Sequence, residues 1–167
     1  MEVAETGRFA RLAARAVDAL AIVTFTGMFA CVLGQVIFRY FLGDPLVWSD
    51  ELARYLFVWC SFLGWVIAAR KRSHLSVSMM HDALPARGGG LVRLIGASAS
   101  LAFAGLLAWY GWQIAARNWD VETTSLAISM GVVYVIVPVA ALAVAAHALA
   151  DARSAIDVIV RRAGSAR

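Results

Sequence analysis

The chain has 167 residues, 62% of them hydrophobic and 16% charged, with a formal net charge of +4 and a mean hydropathy of +0.75. A soluble domain is nearer half apolar, so this composition excludes an ordinary soluble globular protein and points to a polytopic membrane protein whose surroundings are the lipid bilayer. The basic residues lie between apolar runs rather than in one patch, which speaks against nucleic acid as a partner and for a role in setting membrane topology.

Residues Met1 to Asp18 carry Arg8, Arg11 and Arg15 at helical spacing, which predicts a short amphipathic lead-in. The segment does not read as a secretory signal: charges run up to Asp18, the apolar run after it is too long, and no small-residue cleavage pattern closes it. The first span is expected over about 16–40, with an apolar core from Ala19 to Phe38 long enough to cross a hydrocarbon layer of about 30 Å. Gly27, Ala30, Cys31 and Gly34 give it small patches for helix contact. The second apolar run, Tyr55 to Ala69, is short for a span, so its helix must extend back through Trp48-Ser49-Asp50-Glu51, giving a span over about 48–70. Asp44-Pro45 reads as an N-cap followed by proline at the first helical position, and Ser49 is a second possible cap.

A basic run, Arg70-Lys71-Arg72, opens an expected cytoplasmic loop over about 71–91. Within it, Ser73 to Leu84 is expected as a short interfacial helix, and Gly88-Gly89-Gly90 as a flexible break. The third span is expected over about 92–117. Gly96, Ser100, Ala104 and Ala108 fall on every fourth residue and predict a smooth ridge for close packing, and Trp109, Tyr110, Trp112 and Trp119 gather towards its end as interfacial aromatics do. The fourth span is expected over about 124–150, opening with a short extramembrane turn and kinked at Pro138. The tail continues as helix, with Arg153, Asp157 and Arg161 spaced for i,i+4 pairs. The basic excess falls on the N-terminal segment, the 71–91 connection and the tail, whereas the other two loops hold mainly Asp44, Asp50, Glu51, Asp120 and Glu122. The expected fold is an all-α membrane protein: one four-helix domain over 1–167 with both termini cytoplasmic.

Charge concentrates after the first span. On one helix, Asp50 to Arg54 is i,i+4 and Glu51 to Arg54 is i,i+3, so both acids can reach the arginine, with Arg39 nearby at the end of the preceding span. The face Asp50, Arg54, Phe57, Ser61, Gly64 and Ala68 is smaller and more polar than its surroundings and is expected to face protein rather than lipid. No constellation for catalysis, metal or cofactor binding accompanies it. Cys31 and Cys60 are single and apolar-flanked, His147 is the only histidine in a span, and no phosphate loop or hydrolase motif is present. The residues therefore read as an accessory subunit without an enzymatic role. A transporter component and an inner-membrane assembly protein unrelated to transport are both open on this ground.

The stretch from Arg39 to Pro85 resembles the small membrane subunit of tripartite ATP-independent periplasmic (TRAP) transporters. The resemblance rests on Arg39-Tyr40 ending the first helix and on the run Pro45, Trp48, Ser49, Glu51, Arg54. It continues through the aromatic helix Phe57, Trp59, Phe62 with Gly64, then Arg70, His74-Leu75 and the closing Leu84-Pro85. Between His74 and Pro85 this chain has Ser76, Ser78, Met79 and Met80 where that family often has charged residues. The resemblance implies a bacterial inner-membrane complex. A periplasmic binding protein delivers an organic acid, a large membrane subunit moves it on a sodium gradient, and the small subunit is their scaffold. Arg39, Trp48, Asp50, Glu51 and Arg54 are then the candidates for contact with the large subunit. Asp44, Asp120 and Glu122 are the candidates for contact with the binding protein.

Overall fold

The computed structural model describes the backbone of residues 2–81 and 86–164 and, within them, the side chains of 10–71, 94–154 and 156. Among the described residues the chain is helical throughout, apart from one bridge pair between Glu122 and Ser129. Helix α1 (Glu2–Ile37) ends in a π-helical turn (Phe38–Leu42), and α2 spans Val47–His81. Helix α3 spans Ala86–Arg117, and a one-turn helix α4 (Met130–Tyr134) leads into α5 (Ile136–Gly164). Four segments are long and apolar enough to cross a membrane: Ala10–Leu42, Val47–Lys71, Leu94–Arg117 and Met130–Ser154.

The helices run further than the sequence suggests. The expected loop over 71–91 is largely helix: α2 continues unbroken to His81, and α3 begins at Ala86 and takes in Gly88-Gly89-Gly90. No glycine or proline stands between Arg70 and His81 to stop propagation. Three glycines cost about 1 kcal/mol each relative to alanine, which a long helix carries because elongation, unlike nucleation, is cheap. Leu84-Pro85 and the side chains of His74, Leu75, Ser76, Ser78, Met79 and Met80 lie outside the described residues. So do those of Asp157 and Arg161, on which the expected i,i+4 pairs of the tail depend.

At the start of α2, Asp44-Pro45 remains in the connection and the helix begins two residues later, at Val47. Gly43, at φ +71°, closes the π-turn by donating its N–H to the Phe38 carbonyl; the left-handed conformation there favours glycine. Ser49 caps nothing. Its hydroxyl donates to the Leu46 carbonyl at 2.7 Å, and the residue is 1% exposed. The fourth span is interrupted one turn before its proline. Pro138 has no N–H for the Tyr134 carbonyl, and the helix is interrupted at Val135, between α4 and α5.

In space the helices stand in the order α1, α2, α5, α3. The core joins Val66 of α2, Ala104 of α3 and Ala140 and Val144 of α5, with Phe62 and Trp65 packed against it. Trp65 meets Phe103 edge-on with centroids 6.0 Å apart, tying α2 to α3. The expected ridge on α3 is half right. Ala104 and Ala108 face inward, but Gly96 and Ser100 are exposed, and the buried line runs through Ala97, Ala104, Gly111 and Ala115. A strict four-residue repeat drifts about 40° per step round a helix, whereas a seven-residue repeat drifts about 20° and keeps facing a neighbour that crosses at a shallow angle. At Gly111, α3 and α5 approach closely: a Cβ there would lie 2.8 Å from Val137 Cγ1 and 3.1 Å from Pro138 Cδ.

Candidate functional site

The charged cluster lies at the end of the bundle opposite the termini, and the structure divides it. Arg54 Nη2 meets Asp50 Oδ2 at 2.9 Å, as the i,i+4 spacing requires, with side chains 70% and 61% exposed. Glu51 does not join them. One residue along the helix is a rotation of about 100°, and this turns its carboxylate towards the α3–α4 loop. Tyr55 donates its hydroxyl to Glu51 at 2.6 Å, and the backbone N–H groups of Ser125 and Thr124 donate at 2.7 and 3.2 Å. Two main-chain donors and a phenol satisfy the carboxylate without the arginine. Arg39 is apart again. It sits in the π-turn with its guanidinium 6.0 Å from the centroid of the Tyr40 ring and makes no ion pair among the described residues. Trp48 is exposed on the first turn of α2. The two acids and two arginines that cluster in the sequence thus separate into an exposed pair, an inward-facing glutamate and a separate arginine.

The loop that Glu51 holds is tightly bonded within itself. Thr123 is buried; its N–H donates to the Ile128 carbonyl at 2.9 Å and its hydroxyl accepts from Ile128 N–H at 3.0 Å. Ser129 caps α4, accepting from Gly131 N–H at 3.1 Å while donating to the Trp119 carbonyl at 2.5 Å. Ala127 takes a left-handed φ of +51°. Asp44, Asp120 and Glu122 are all exposed at this end, the first on the α1–α2 connection and the others on the loop.

At the opposite end a second charged pair joins α1 to α2. Arg70 Nη2 lies 2.6 Å from Asp18 Oδ1, with side chains 27% and 45% exposed. Sequence reasoning treated Asp18 as a boundary residue and Arg70 as part of a basic run. The 52-residue separation gave no local cue to the pairing, although an acid and a base at matching depths of antiparallel spans is the signal that could have found it.

Along α2 the face singled out from the sequence is open. Asp50, Arg54, Phe57, Ser61, Gly64, Ala68 and Lys71 are all exposed, recurring at alternating four- and three-residue steps. Past Trp48, Phe57 is the only exposed large hydrophobic side chain on the described part of α2. The other helices differ: α1 shows Phe25, Phe29, Val32 and Leu33 outward, and α5 shows Val139, Leu142 and Leu149. Among the described residues, no side chain lies within 4 Å of a Cβ placed on Gly64.

Comparison with known proteins accounts for this architecture. The family model described as "Tripartite ATP-independent periplasmic transporters, DctQ component" matches residues 28–158. A sialic acid TRAP transporter small permease protein, SiaQ, of Vibrio cholerae is 31% identical over 112 residues, which are 67% of this chain and 65% of that protein. A C4-dicarboxylate TRAP transporter small permease protein, DctQ, of the same species is 28% identical over 62% of this chain and 47% of its own length. An isethionate TRAP transporter permease protein, DctMQ, of Oleidesulfovibrio alaskensis is 28% identical over 70% of this chain, in a match that takes up only 20% of that protein. The matches thus span less than two thirds of each relative. Four apolar helices, the charged stretch that follows the first of them, and a family match over most of the chain converge: this multi-pass membrane protein belongs to the small permease subunits, the DctQ component, of the tripartite ATP-independent periplasmic transporters.

Proposed function

We propose that this chain is the scaffold of a binding-protein-dependent, sodium-driven importer of an organic acid in the bacterial inner membrane, and that it grips a large permease subunit through the open face of α2. Both termini lie in the cytoplasm. Among the described side chains Arg11, Arg15, Arg70, Lys71 and Arg153 stand at the terminal end against Arg39, Arg54 and Arg117 at the other, an excess that the positive-inside rule assigns to the cytoplasm.

The observation that carries this reading is the composition of the α2 face. Lipid is solvated by large apolar side chains, as on α1 and α5. A stripe of Ser61, Gly64 and Ala68 is suited to the close approach of another helix. Its four-and-three spacing is that of a helix seam with a crossing near 20°, so the occupant is a transmembrane helix. The large permease is the occupant of choice because in the DctMQ relative a segment like this chain forms part of a much longer permease protein. The exposed Asp50–Arg54 pair, Trp48 and Arg39 stand at one end of the seam as polar and aromatic contacts. Glu51 contributes by fixing the loop beside them. Asp44, Asp120 and Glu122 are offered to a periplasmic binding protein.

The test is co-purification of the full chain with its co-expressed large permease, comparing wild type with Ser61→Leu/Gly64→Leu. Both positions face outward, so the isolated variant should keep the wild-type unfolding midpoint, which is measured alongside. Loss of the permease from the variant is the expected result. Retention at the wild-type ratio contradicts the assignment of this face.

A further inference from the structure

An open cleft of about 370 Å³ runs between α1 and α2, lined by Asp18, Ala21, Ile22, Phe25, Ile67 and Lys71. We infer that it binds an anionic phospholipid, with the headgroup phosphate between Arg15 and Lys71 and an acyl chain laid along Ile22, Phe25 and Ile67. The inference concerns the groove between α1 and α2 rather than the Ser61–Ala68 seam, with Lys71 standing where the two meet, and does not depend on which side of the membrane the termini occupy.

The cleft is graded in polarity along the bilayer normal. Ala21, Ile22 and Phe25 follow Asp18 up α1, while Ile67 precedes Lys71 by one turn on the antiparallel α2, so both charged lining residues lie at one end and the apolar wall lies at the other. That wall extends about 10 Å from Asp18 to Phe25 at 1.5 Å per residue, which is the reach of the first half of an acyl chain. Arg15, Asp18, Ile22 and Phe25 recur at three- and four-residue steps, so Arg15 stands on the cleft's face of α1, one turn beyond its acidic end.

Charge selects the ligand. The one carboxylate in the cleft is held by Arg70 at 2.6 Å, which cancels the repulsion it would exert on a phosphate. Arg15 and Lys71 are exposed and form no ion pair among the described residues, leaving two cations at headgroup depth. Basic pockets between spans at this depth suit anionic headgroups, each cation near the surface adding to the attraction. Ile22 and Phe25 project outward beside this open groove, an uneven surface unlike the small-residue seam of α2, and so suit a flexible chain better than a packed helix.

Delipidated full chain in mild detergent is titrated with phosphatidylglycerol, phosphatidylcholine and inorganic phosphate, with binding read by native mass spectrometry and thermal shift. Two variants accompany wild type: Arg15→Gln/Lys71→Gln, which removes the charges, and Ala21→Leu, which fills the slot without touching them. Phosphatidylglycerol should bind wild type and stabilise it. The charge variant should lose about 30-fold in affinity, from two cations, and the slot variant should also weaken. Equal affinity for phosphatidylglycerol in wild type and the charge variant overturns the inference. Equal binding of phosphatidylcholine overturns its charge selectivity, and competition by inorganic phosphate alone makes the site one for a free anion rather than a lipid.

Discussion

Ser125 donates its backbone N–H to the Glu51 carboxylate at 2.7 Å, joining the first turns of α2 to a loop 74 residues away. With the bonds from Thr124 and Tyr55, this makes Glu51 the post to which the α3–α4 loop is tied. Glu51→Ala should leave the spans intact and release the loop. In hydrogen exchange the Thr124 and Ser125 amides should lose protection while those of α3 and α5 keep theirs. Arg54→Ala should leave both amides protected, because Arg54 pairs only with Asp50 on an exposed surface.

The close approaches of α3 define the second expectation. At Gly131 an added Cβ would meet the Trp119 Cα at 2.9 Å and the Ala115 carbonyl oxygen at 3.0 Å, both backbone atoms that cannot rotate away. At Gly111 the neighbours are Val137 and Pro138, one of them a ring. Gly131→Ala and Gly111→Ala should each cost about 1–3 kcal/mol through overpacking, read as a lowered unfolding midpoint in detergent. Gly64→Ala, with nothing within reach, should leave the isolated chain's midpoint unchanged.

Ser129 fills two roles with one hydroxyl, accepting from Gly131 N–H and donating to the Trp119 carbonyl. Ser129→Ala should destabilise the chain by about 1 kcal/mol, the usual cost of a lost N-cap. Ser129→Asp should restore the cap but not the donation to Trp119, and so recover only part of the loss.

For the Asp18–Arg70 pair, a double-mutant cycle with Asp18→Asn and Arg70→Gln should give a coupling of about 0.5–1 kcal/mol. The side chains are partly exposed, so solvent screens most of the Coulomb gain at 2.6 Å. The coupling should shrink at high salt.

The four helices were legible because each is a long apolar run bounded by charges, and that pattern needs no tertiary information. The Asp50–Arg54 pair was legible for a similar reason: it is local to one helix. Glu51 was misplaced because i,i+3 geometry permits contact with Arg54 but cannot say that two amides from a distant loop compete for the same carboxylate. What the sequence did not show is that α2 and α3 continue as unbroken helix beyond their apolar spans, because glycines and a basic run signal a loop only when no longer helix is available to absorb them. The α3 ridge was displaced because its true repeat depends on how α5 crosses it. The outward direction of the α2 stripe has a different status. Its polarity was visible in sequence, but that none of the other described residues covers it required the fold.

The most direct measurement is photocrosslinking in native membranes, with a photoreactive side chain placed in turn at Ser61 on the α2 seam and at Leu142 on the outward face of α5. The expected result is a covalent adduct between the Ser61 probe and a large polytopic permease, with the Leu142 probe trapping lipid alone. A Ser61 probe that traps only lipid, or a permease adduct formed from Leu142 instead, would contradict the assignment of α2 as the docking face.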